Sequence, residues 1–103
     1  MASIIKGTTP TLKYTFNTVD VSSITTAYLT IKVDNDSTHD IEKDLTSATV
    51  EAKSISWTLT QSETLSFKDS ISVMINWKTD DGTRGASKKT IALVDKNFKE
   101  VEI

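Results

Sequence analysis

The densest set of possible ligands is Asp34-Asn35-Asp36-Ser37-Thr38-His39-Asp40, an unbroken run of oxygen- and nitrogen-bearing side chains. Carboxylates at alternate positions suggest a calcium loop, which takes oxygen ligands at its first, third and fifth places, glycine at the sixth and glutamate at the twelfth. Asp34, Asp36 and Thr38 fill the first three, but His39 stands at the glycine place and Leu45 at the glutamate place. The loop fails where its geometry is strictest. Weak calcium binding at Asp34 and Asp36 is the most it offers, and the same residue types ordinarily make a turn. His39 is the only histidine, and in so polar a stretch a solvated imidazole is a simpler reading than a general base. There is no cysteine, so thiolate metal sites, disulfides and cysteine nucleophiles are excluded. No G-x-S-x-G elbow, phosphate-binding glycine loop or dinucleotide fingerprint occurs. The sequence therefore predicts no catalytic residue, no cofactor and no metal-dependent chemistry: not an enzyme.

Whatever the chain does must come from its surfaces, and a two-residue rhythm shapes those. Ile71, Val73, Ile75 and Trp77 alternate with polar residues until Asp80-Asp81-Gly82. Only a β-strand puts every second side chain on one face, and Asp-Gly ends such a strand in a hairpin. The same beat runs through Leu12, Tyr14 and Phe16, through Ala27, Leu29, Ile31 and Val33, and through Ile55, Trp57 and Leu59. Val19 to Thr26 reads as turn-like. The spacing of Ile41 and Leu45 fits a helical turn or a strand with Lys43 facing inward. The edge strand is favoured, because an inward charge discourages pairing with other sheets. Thr49 to Glu51 pairs briefly. Gln61 to Asp69 crosses between sheets, with room for one helical turn, and a return strand follows through Ile91 and Val94. The tail Phe98 to Ile103 alternates again.

This pattern predicts an all-β chain, a single immunoglobulin-like β-sandwich of about seven antiparallel strands, as one domain over residues 1–103. The expected core contains Leu29, Ile31, Trp57, Leu59, Val73, Ile75 and Trp77. A chain of 103 residues can bury enough surface for one such core unaided. A net charge of −2, with acids and bases interspersed, lacks the basic stripe of a nucleic-acid binder. No segment has the apolar length of a membrane span or a secretion signal, so synthesis and residence in the cytosol are expected.

Exposed aromatics could form a sugar platform, but Trp57, Trp77, Tyr14 and Phe16 are in phase with the aliphatic residues of their strands and read as core. Tyr28 is out of phase and points outward. It is either a protein contact or the cross-strand neighbour of a threonine.

Three segments in order, Ile4-Ile5-Lys6-Gly7-Thr8-Thr9-Pro10, Ala27 to Lys32 with Ile41 to Leu45, and Trp57 to Leu65, resemble small β-sandwich proteins encoded among the virion genes of tailed phages and prophages of Gram-positive bacteria. The likeness spans most of the chain and includes no chemically diagnostic motif. It implies a non-enzymatic accessory structural protein of the tail, baseplate or capsid surface, made in the bacterial cytoplasm and carried in the virion after assembly. Its partners would be other virion proteins, with homo-oligomers possible in a symmetric particle, and neither nucleic acid nor membrane. Ile4, Ile5, Tyr28, Val101 and Ile103 are the candidate partner contacts; the two chain-end segments could equally pair within the domain. A carbohydrate-binding module for host cell-wall glycans is the alternative.

Overall fold

The computed structural model describes residues 3–33 and 40–99. Asp34, Asp36 and His39 of the possible calcium loop, and the contact candidates Val101 and Ile103, lie outside the described residues.

Among the described residues the strands are β1 (Ser3–Ile5), β2 (Thr11–Thr15), β3 (Ile24–Val33), β4 (Asp40–Asp44), β5 (Thr49–Val50), β6 (Ser54–Thr58), β7 (Ser70–Thr79), β8 (Arg84–Ala86) and β9 (Thr90–Asp95), with one α-helix, α1 (Gln61–Leu65), between β6 and β7. The larger sheet runs β1-β9-β7-β3-β4, with β8 also paired to β7, and the smaller one runs β2-β6-β5. The chain is all-β, a two-sheet sandwich, and α1 is the crossing from one sheet to the other.

The alternation sets which side chains meet. In β3, Ala27, Leu29, Ile31 and Val33 are buried, as are Ile55, Trp57 and Leu59 on the opposing sheet and Ile71 and Ile75 on β7. β3 and β7 hold the centre in antiparallel register, with Leu29 opposite Ile75 and Ile31 opposite Val73. The buried end of Trp57 is satisfied because its indole Nε1 donates to the Asp44 carbonyl at 2.9 Å. Lys43 lies opposite Leu29, and therefore on the core face of edge strand β4. Its ammonium is 3.0 Å from Glu63 Oε2 on α1, which lets the charge face inward without being stranded.

Several expectations need correction. Nine strands form among the described residues where about seven were expected, and one pairing is parallel: Ser3, Ile4 and Ile5 run beside Leu93, Val94 and Asp95. The turn-like stretch before β3 ends early, because Asp20 caps a 3-10 turn at Val21–Ser23 and strand begins at Ile24. Val21 and Ile24 enter the core. Val73 and Trp77 pack on the core but stay partly exposed, since three strands do not cover a wider sheet.

The return strand is also interrupted. Asn76 stands opposite Ala86, while Val73 stands opposite Thr90, so one extra residue is inserted between β8 and β9. This bulge is built on Ser87. Its N–H donates to the Ile75 carbonyl at 2.8 Å, and its hydroxyl oxygen accepts from the Ile75 N–H at 2.9 Å. A side chain thus replaces the backbone acceptor that the extra residue displaces. The slip turns Ala92 and Val94 inward and Ile91 and Leu93 outward.

Candidate functional site

Because the smaller sheet is narrower, an open groove lies between β2 and β9, with a volume of about 570 Å³. Leu12 and Tyr14 form one wall. The floor is Ile71, Val73, Leu29 and Ile75, and Ile4, Ala92 and Thr90 close the other side. Lys13 and Lys88 stand on the rim, and no acidic residue lines it. Tyr14 is also one corner of an aromatic cluster, 4.8 Å from Phe16 and 5.8 Å from Trp77 between ring centroids. The Trp77 ring lies over Gly85, where a Cβ would come within 2.4 Å of its Cζ2. Glycine there is a requirement of close packing, and the ring covers the gap a glycine leaves in a strand.

Outside the groove, α1 is tied to the β1–β2 connection by side-chain hydrogen bonds. Gly7 has φ +78°, a region that suits glycine. Its N–H donates to Thr64 Oγ1 at 3.0 Å, and its carbonyl accepts from Gln61 Nε2 at 3.0 Å. The Thr64 hydroxyl donates to the Thr8 carbonyl at 2.7 Å, and Asn97 Nδ2 donates to the Lys6 carbonyl at 2.9 Å. The helix itself begins with a capping box: Glu63 N–H donates to Thr60 Oγ1, and Thr60 N–H to Glu63 Oε1. Burial pushes the Glu63 carboxyl up, but the Thr60 N–H and the Lys43 ammonium outweigh it and hold it below its ordinary value. At the opposite end, the Thr79 hydroxyl and the Thr83 N–H hold exposed Asp81 down to about 2.

The predicted contact residues separate. Ile4 is 6% exposed, facing inward opposite Val94, so its side chain belongs to the core and not to the outer surface. Ile5, one residue on, faces outward and is 47% exposed. Tyr28, at 40%, lies on the same outer face of the larger sheet, opposite Asn76. Ile91 and Leu93 join them there. Sequence reasoning missed both residues because their outward aim depends on the Ser87 bulge. It missed the groove because no local pattern reports that, among the described residues, the second sheet stops at β2. Tyr28 and Trp77 also line a shallow hollow with Asn76, Lys78 and Arg84. Among the described residues no group of three or more His, Asp or Glu side chains could hold a metal ion, and no helix is long and apolar enough to cross a membrane, which says nothing of strands.

A two-sheet sandwich with a parallel strand joining its first and last segments belongs to the immunoglobulin-like class. A family model, Abnormal spindle-like microcephaly-assoc'd, ASPM-SPD-2-Hydin (ASH), matches residues 3–101. The chain belongs to this ASH family, whose fold is immunoglobulin-like. No curated protein matches it. The family match defines fold and kinship, not a partner.

Proposed function

We propose that this chain is a non-enzymatic structural protein that works through protein–protein contacts, and specifically an accessory component of a tailed phage or prophage particle, at its tail, baseplate or capsid surface. The observation that carries the contact reading is the outer face of the larger sheet, where Ile5, Ile91 and Leu93 are exposed together and Tyr28 lies on the same face. Scattered apolar residues are ordinary on any surface, but exposed aliphatics side by side on adjoining strands have the make-up of an interface core. The particle assignment rests on the resemblance of the Ile4–Pro10, Ala27–Lys32 and Trp57–Leu65 segments to virion β-sandwich proteins. Repetition in a symmetric particle would multiply a weak contact into a firm one.

The test is quantitative mass spectrometry of purified particles from the phage or induced prophage that carries the gene. Stoichiometric presence supports the reading, and the copy number distinguishes ring, tube and capsid surface. Absence from clean particles refutes it.

A glycan-binding reading draws on the hollow lined by Tyr28, Trp77, Asn76 and Arg84, two aromatic residues with polar neighbours. Calorimetric titration with host cell-wall polysaccharide, and its loss in Tyr28→Ala, would move the assignment there.

A further inference from the structure

We propose that the groove between β2 and β9 receives an extended segment of a different protein, bound as an added strand on β2, with apolar side chains at alternate positions and acidic ones between them. This rests on the protein-contact reading above but uses the groove, which shares Ile91 with the exposed apolar residues of the outer sheet face.

The backbone supplies the first reason. Among the described residues, β2 pairs only with β6. The Pro10 carbonyl accepts from Leu59 N–H at 2.9 Å, and Phe16 N–H donates to the Lys53 carbonyl at 2.8 Å. In an antiparallel ladder the residues that exchange bonds with one neighbour alternate with those that face the other way. Leu12 and Tyr14 therefore bond to β6, while Thr11, Lys13 and Thr15 direct their N–H and C=O groups over the opposite edge. Among the described residues nothing pairs with those groups. A row of unmet donors and acceptors is a template for another strand.

The side chains supply the second. A strand laid along β2 would alternate as β2 does, placing every second residue beside Leu12 and Tyr14, above the apolar floor of Ile71 and Val73. The residues between would stand outside, next to Lys13. Lys13 has one distant partner, Glu51 at 3.9 Å, and both side chains are more than half exposed. Lys88 and Lys89, on the bulge across the groove, are exposed and have no ion pair among the described residues. A chain of net charge −2 thus presents a basic rim over an apolar trough, which selects acids on the outside of the visiting strand.

The test is hydrogen exchange on the full chain with an acetylated, amidated peptide Thr-Glu-Val-Glu-Ile-Glu-Thr as probe, against the same peptide with lysine for glutamate. The acidic peptide should slow the Thr11, Lys13 and Thr15 amides by about tenfold or more, and the lysine peptide should not. Lys13→Pro removes one edge donor without touching the β6 ladder, and should weaken binding about tenfold at unchanged melting temperature. Lys88→Glu, on the exposed bulge, should weaken it several-fold (~3-fold or more) in low salt and little in high salt. Equal binding of both peptides, or no protection at saturation, overturns the proposal. So does strong protection of these amides in the chain alone, which would mean that its own residues fill the groove. Dimerisation abolished by Lys13→Pro would make a second copy the occupant and overturn it likewise. Particle membership with no peptide binding would leave the contact reading standing on the outer sheet face alone.

Discussion

Replacing Thr64 with valine changes one hydroxyl to a methyl at constant shape, at a position with no solvent exposure. That hydroxyl accepts from Gly7 N–H at 3.0 Å and donates to the Thr8 carbonyl at 2.7 Å. In Thr64→Val both backbone groups would face a methyl. Each unmet group costs about 1–3 kcal/mol where water cannot reach it. The Gly7–Thr8 segment is only partly buried, so the lower half of that range applies to each, for a total loss of about 2–4 kcal/mol. Urea unfolding followed by tryptophan fluorescence would read this directly. With a slope of about 2 kcal/mol per molar for a domain of this size, the midpoint should fall by ~1–2 M. Thr64→Ser keeps the oxygen and loses only the methyl, so it should cost about 0.5–1.5 kcal/mol. A loss below ~1 kcal/mol in Thr64→Val, or equal losses in the two variants, would refute the claim that this hydroxyl holds the β1–β2 connection.

Gly85→Ala would drive a Cβ to 2.4 Å from the Trp77 ring; it should cost ~1–3 kcal/mol and change the near-ultraviolet dichroism of the Tyr14–Phe16–Trp77 cluster. Trp57→Ala empties a site that is 1% exposed and removes the bond to Asp44, for a loss of ~3–5 kcal/mol in the same denaturation assay. Asp81 has a depressed folded-state value, about 2 against a usual 3.8, so its contribution is whole above the usual value and is lost as pH falls through about 2. Thermal melts of the wild type and Asp81→Asn should therefore differ at neutral pH and converge between those two values; a constant difference down to the lower one would contradict this.

Local pattern was enough for the long strands and for the orientation of Lys43, because period two is written in the residues themselves. It also separated Ile4 from Ile5 in principle, since neighbours on a strand face opposite ways, but whether that strand pairs inside the domain depends on β9, some ninety positions away. The Ser87 bulge was illegible for a different reason. A serine that substitutes for a carbonyl in a ladder looks like any polar residue before two lysines. The groove is a relation between sheet widths, and no single segment encodes it. Thr64 gave no signal because its partners are fifty-six and fifty-seven residues earlier in the chain.

The parallel pairing of β1 with β9 has a consequence for biosynthesis. Ser3 to Ile5 leave the ribosome some ninety residues before their hydrogen-bonding partners Leu93 to Asp95. The central β3–β7 pairing can form earlier, while β1 must wait for its partner until β9 has been made. The pairing of β1 is therefore a late step in the assembly of the larger sheet. On crowded polysomes, the vacant side of a newly made β9 is open to the unpaired β1 of a neighbouring nascent chain as well as to its own.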